Sequence, residues 1–188
     1  MVADAAAGTP LPQTGEPPSP LAASRLSRGV IAVVRIAVGL LWIQNAGWKR
    51  PPHFGEGDSP TGLYLWTSYA VEFPVFPPYS WLVEHVVLPN FAPFGWLVLV
   101  TEASLGAFLL IGLATRFWAL VGIAQTIAIM LSALNAPHEW VWSYLLMILV
   151  HATLFAAAAG RFAGVDGVLR PRWVTSPGRW ARLLGRAS

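Results

Sequence analysis

Cysteine is absent from all 188 residues. The chain therefore forms no disulfide, thiolate metal site, iron-sulfur cluster or persulfide, and any redox chemistry must come from something bound. Charge is scarce as well: Asp, Glu, Lys and Arg make up 11% of the residues against 55% hydrophobic ones. That balance belongs to an integral membrane protein. Acids are fewer than bases, 9 against 12, but the bases do not form the stripe that would track nucleic acid. They sort by position instead. Arg25, Arg28, Arg116, Arg161, Arg170, Arg172, Arg179, Arg182 and Arg186 fall at helix ends that share one side, whereas Lys49 and Arg50 lie on the other. The positive-inside rule then predicts a multi-pass protein of the cell membrane with both termini in the cytoplasm.

Apolar runs of about twenty residues, each long enough to span the hydrocarbon core, occur at 29–48, 94–113, 117–136 and 141–160. The fold expected is an all-α, four-transmembrane-helix bundle with a long outer, aromatic-rich helical segment between helices 1 and 2. Three regions follow: a disordered cytoplasmic arm (1–24), the membrane domain (25–170) and a basic cytoplasmic tail (171–188). The arm is broken by Pro10, Pro12, Pro17, Pro18 and Pro20 and has too little apolar surface to order itself. It lacks a basic start, so no cleaved signal peptide is expected. The tail, with Trp173, Trp180 and arginines from Arg170 to Arg186, reads as a surface helix on anionic lipid in preference to a docking tail.

The first spanning helix puts Arg35, Gly39, Trp42 and Ala46 on one inward face and ends at Pro51 and Pro52. Gln44, Asn45, Trp48, Lys49 and Arg50 form an interfacial anchor, with Lys49 either snorkelling to the interface or serving an outer opening. The next segment is crowded with Tyr64, Trp66, Tyr69, Phe73, Phe76, Tyr79, Trp81 and Phe91. Two short helices suit it, one from Pro60 capped by Ser59 and ending before Pro74, the other from Pro78 to about Leu88. They form a lid or an aromatic belt. His53, Glu56 and Asp58, and Glu84 with His85, match a metal spacing only loosely, and no metal site is expected.

Glu102 stands near the centre of the second span, where an ionised side chain costs about 2.5 to 3.5 kcal/mol and needs a partner. Gly106, Ala103 and Ala107 let another backbone approach it closely. Gly112 stops the helix, and Thr115 is expected to cap the next one across a tight turn. The third span carries Gln125 and Ser132 on one face, and the fourth carries Tyr144, Met147 and His151. At 1.5 Å per residue, Glu102 lies roughly 16 Å from the inner end of its helix, His151 about 13 Å, Gln125 about 12 Å and Arg35 about 9 Å. An Arg35–Glu102 ion pair bridges the gap, and such buried ionisable groups mark an ion or substrate path. Only one histidine lies at this depth, so no bis-histidine haem is expected.

Residues 35–49 (RIAVGLLWIQNAGWK), 102–116 (EASLGAFLLIGLATR) and 156–169 (AAAAGRFAGVDGVL) resemble the DoxX/DoxD family of small four-helix membrane proteins. The resemblance runs from about Arg25 to Arg172 and is closest to the DoxD branch, the small subunit of thiosulfate:quinone oxidoreductase. It implies a membrane subunit that helps pass electrons from a reduced sulfur compound to quinone, beside a separate catalytic subunit, in contact with membrane lipid and without nucleic acid. Arg35, Glu102 and His151 are then the candidate catalytic residues, as donors or proton relays. Trp42, Gln125 and Tyr144 are the candidates for binding a quinone cofactor, with Met147 packing its ring, and Lys49 for positioning an anionic substrate. A different class stays open: a small-solute or proton pathway, or an assembly factor, in which the Arg35–Glu102 pair is a gate or a brace.

Overall fold

The computed structural model describes residues 24–176 and 178–188. The arm 1–24, expected to be disordered, lies outside the described residues except for Ser24, whose hydroxyl caps the first helix by accepting from Ser27 N at 3.0 Å. Eight α-helices follow and, among the described residues, no strand: α1 Arg25–Gly47, α2 Gly62–Glu72, α3 Pro77–Leu82, α4 Phe91–Ile111, α5 Thr115–Ala133, α6 Val141–Ala157, α7 Val165–Thr175 and α8 Arg179–Ala187. Three helical rods are long and apolar enough to cross a membrane: α1, the continuous stretch Pro77–Ile111, and α5. They mark a multi-pass membrane protein. The apolar α6 is shorter, at 17 residues or about 25 Å.

The 35-residue rod corrects one expectation. The expected outer helix from Pro78 to about Leu88 is not separate from the span at 94–113: across Pro89 and Pro93, α3 runs into α4 through a π-helical turn at Val83–Val87 and a 3₁₀ turn at Leu88–Asn90. Each proline removes only one N–H, and these local changes of pitch absorb the loss without stopping the chain. The aromatic segment is therefore half an independent helix, α2, and half an extension of α4. Similarly, the tail expected from residue 171 starts within α7, which carries Pro171 inside it.

The expected inward face of α1 is buried: Arg35, Gly39, Trp42 and Ala46 all point into the bundle. α1 lies along α4 and α5 along α6. The first of these contacts is backbone to backbone, because a Cβ on Gly39 would sit 2.9 Å from Leu110 N and one on Gly106 the same distance from Gly39 O. Val38, Trp42, Leu105, Leu109, Ala119, Leu154 and Ala159 form the core between the four apolar helices.

At the arginine-rich end, two side chains lock the α4–α5 turn. Arg35, wholly buried, donates to Leu109 O (3.0 Å), Leu110 O (3.2 Å) and Ala163 O (3.0 Å). It thus satisfies the Leu110 carbonyl that the end of α4 leaves orphaned and shares the Leu109 carbonyl with Gly112 N, where a cation is also favoured by the helix dipole. Asp166 accepts from Ala114 N (2.7 Å) and Thr115 N (2.9 Å), while its own N–H reaches Gly112 O (2.9 Å). The start of α5 is capped from α7, not by Thr115 as the sequence suggested; the Thr115 hydroxyl has no partner. Gly112 is fixed here for two reasons, its φ of +71° and the Arg35 guanidinium packed against it. Removing the cap with Asp166→Ala should lower stability by about 1–2 kcal/mol. Arg35→Met should lower it by about 2–4 kcal/mol, since buried carbonyls lose their donors. Thermal denaturation of the purified protein followed by circular dichroism checks both, and an unchanged transition for either would rule out the lock.

Candidate functional site

Between the aromatic segment and the ends of α1, α4 and α5 lies a cavity of about 470 Å³. Its floor is a carboxylate. Glu102 is 1% exposed and takes three donors from three directions: Lys49 Nζ at 2.5 Å, Asn45 Nδ2 at 3.1 Å and Gln125 Nε2 at 3.1 Å. Lys49 follows the last turn of α1 and folds back, donating also to Asn45 O at 2.9 Å, with its ammonium 4.3 Å from the Trp48 ring centroid. Only 5% of Lys49 is exposed. A buried charge pair of this kind persists where further hydrogen bonds satisfy both partners, and the amides of Asn45 and Gln125 supply them.

The partner of Glu102 is thus Lys49, not Arg35. The expected Arg35–Glu102 pair does not form because Arg35 sits level with Leu109 and Leu110, seven residues further along α4 than Glu102, about 10 Å. Three carbonyls lie closer to it. Lys49, by contrast, is one turn beyond Asn45 on the same helix face and needs only to fold inward.

The cavity's long wall is α5. Gln125, Ala128, Ile129, Ser132 and Ala133 line it at i, i+3, i+4, i+7 and i+8, a single helix face. Opposite stand Leu63, Trp66 and Thr67 of α2, Tyr79 of α3, and Val83 and Val87 of the π turn, with Phe91, Phe94 and Val98 of α4. The aromatic segment is therefore the cavity's wall as well as a surface belt. Away from Glu102 the polar groups are hydroxyls: Tyr79 Oη lies 3.0 Å from Ser132 Oγ and donates to Ala128 O (3.2 Å), and Tyr144 Oη donates to Glu139 at 2.5 Å. A concave, mostly apolar space with polar groups at its ends has the form of a small-molecule site.

Of the residues singled out from sequence, Glu102, Gln125, Tyr144 and Lys49 line this cavity. Lys49 is matched by Glu102 rather than free to hold an anion. Arg35 lies at the opposite end of the bundle. Trp42 and His151 are beside each other in the core, not in the cavity wall: Trp42 Nε1 donates to His151 Nε2 (2.9 Å), and His151 Nδ1 donates to Met147 O (2.7 Å). These two bonds fix one neutral tautomer and leave neither ring nitrogen unoccupied. Asn45, Tyr79 and Ser132 were missed as cavity residues. The Asn45–Lys49 spacing of i, i+4 and the Gln125–Ser132 spacing of i, i+7 were the available signals. His53, Glu56 and Asp58 are exposed, and among the described residues no three His, Asp or Glu side chains gather as a metal site.

Breaking the floor pair should show the asymmetry of a buried charge. Glu102→Leu or Lys49→Met alone should cost about 3–5 kcal/mol of stability, and the double variant much less. A double-mutant cycle read by thermal denaturation tests this; additive losses would mean that the two charges do not depend on each other.

A family model described as "TQO small subunit DoxD" matches residues 30–185, nearly the whole described chain. No curated protein and no solved structure matches it. Apart from the first turn of α1, the three apolar rods, the buried lysine–glutamate pair and the aromatic-walled cavity all fall within the matched range, and the chain belongs to the DoxD family.

Proposed function

We propose that the chain is the membrane subunit of a thiosulfate:quinone oxidoreductase-like complex and that its cavity holds the quinone headgroup. The spacing of the cavity's polar ends carries the reading. Gln125 beside Glu102 and Ser132 beside Tyr79 are seven residues apart on α5, about 10 Å along the helix axis. The two oxygens of a para-quinone are roughly 5 Å apart, and a hydrogen bond of roughly 3 Å at each gives a donor separation of about 11 Å. The family description adds that such a subunit works with others.

The residues fit the group. Quinone, when bound, supplies the two-electron, two-proton acceptor chemistry that a cysteine-free chain lacks. Gln125 and Asn45 each have an amide N–H left after serving Glu102, and the Lys49 ammonium has a third, so one end can be oriented without breaking the floor. The Tyr79 and Ser132 hydroxyls can turn to serve the other. Glu102 is the carboxylate placed to hold or release a proton, and Lys49 beside it limits the charge left in the apolar surroundings. Val83, Val87, Phe91, Phe94 and Val98 exclude water and pack against a flat ring. The sulfur chemistry belongs to a separate catalytic subunit.

In this reading α6 is the fourth span, both termini are cytoplasmic, and the cavity lies in the outer half of the membrane. Arg35 and the Trp42–His151 pair support the bundle rather than the reaction. Protein extracted gently from its native membrane should retain close to one quinone per chain. Gln125→Leu with Ser132→Ala should weaken retention about 10- to 100-fold, two hydrogen bonds' worth, while Trp42→Phe keeps it. Quinone in the wild type no richer than in the surrounding lipid would sink the proposal.

A further inference from the structure

At the end of the bundle away from the cavity, a second hollow of about 370 Å³ is lined by Arg25, Arg28 and Gly29 of α1 and by Arg161, Phe162 and Ala163 of the α6–α7 connection. Its charge is one-sided. Among the described residues no Asp or Glu side chain lies within 4 Å of these arginines, the side-chain salt bridges being Lys49–Glu102 and Glu84–His85. The nearest acid, Asp166, already has both carboxylate oxygens on the backbone of Ala114 and Thr115. Arg161 is half-buried and gives one N–H to Ser188 O at 3.0 Å, but its Nε is buried without a partner, as are those of Arg116 and Arg170. Burial first, then repulsion from Arg170 and Arg116, hold Arg161 below the ordinary arginine range, with Asp166 opposing. An excess of converging guanidinium groups around a concave space is a site for an anion, and their forked donors match phosphate.

The hollow also has an apolar continuation. Gly29, Val33, Ile36 and Leu40 follow at i, i+4, i+7 and i+11 along α1, and Val33, Ile36 and Leu40 are exposed along the outside of the bundle. A free phosphate has no use for such a stripe; an acyl chain does. We propose that this hollow binds a phosphate-bearing anion, with the headgroup of an anionic phospholipid seated between Arg25, Arg28 and Arg161 and one chain lying along α1. The site is separate from the cavity and does not depend on what the cavity binds.

The test titrates the full chain, in an uncharged detergent, with short-chain phosphatidylglycerol, short-chain phosphatidylcholine and inorganic phosphate, reading the thermal transition. Phosphatidylglycerol should raise it saturably, and the other two should not. The Arg25→Gln, Arg28→Gln, Arg161→Gln variant should need at least about tenfold more lipid for half the effect. Arg25→Gln with Arg28→Gln alters two exposed side chains and guards against misfolding; it should need about fivefold more. Arg179→Gln, Arg182→Gln, Arg186→Gln removes equal charge from α8 and should stay within about twofold of the wild type. An equal response to phosphatidylcholine, an equal response to inorganic phosphate, or a loss of binding only in the α8 variant would overturn the proposal.

Discussion

The Glu102 carboxylate, set halfway along an apolar helix, is the constraint around which the rest is arranged. In such surroundings it needs a counter-charge and hydrogen bonds to both oxygens. Lys49 brings the charge from beyond the end of α1, Asn45 one hydrogen bond from the last turn of α1, and Gln125 the other from the middle of α5. One carboxylate thus ties α1, α4 and α5 at a single level. Because these groups meet above the backbone contact of Gly39 with Gly106, the helices are tight on one side of the pair and open on the other. The open side is the cavity, and α2 with α3 closes it.

The two buried cations have separate tasks. Arg35 has planar, forked donors and is used where three carbonyls must be reached at once, at the end of α4 and at Ala163. Lys49 has a compact charge on a flexible stem and is used where one carboxylate must be reached from a helix end. The first lock, together with Asp166, fixes the α4–α5 turn; the second creates a polar floor in an apolar space. Stability and candidate chemistry therefore sit at opposite ends of the same bundle. Trp42 and His151 lie between them, hydrogen-bonded to each other and, through His151, to Met147 O, and are buried in the core.

Long apolar runs made the spanning helices legible in the sequence, and the small and large residues at helical spacing revealed the buried face of α1. The partner of Glu102 was not legible. Depth counted from the edges of apolar windows put Arg35 and Glu102 within reach, but window edges do not fix the register between helices; the Gly39–Gly106 contact does. Lys49 looked like an interfacial lysine because nothing in a single sequence says that its side chain folds inward. The outer helix expected to end near Leu88 continues into α4, because a π turn leaves no mark in composition. Asp166 capping α5 from fifty residues away is likewise a tertiary fact. The aromatic segment was recognised as a candidate lid, and Gln125 and Ser132 as sharing a face, yet only the fold sets them across one space.

The most direct test of the account is where a photoreactive quinone attaches. Membranes containing the wild-type chain would be illuminated with an azido-quinone, with and without excess native quinone, and the labelled peptides identified by mass spectrometry. The account predicts label on the face of α5 from Gln125 to Ala133 and on Trp66 or Tyr79, removed by the competitor. Label that ignores the competitor, or that falls on Trp42, His151 and the lipid-facing surfaces instead, would contradict it.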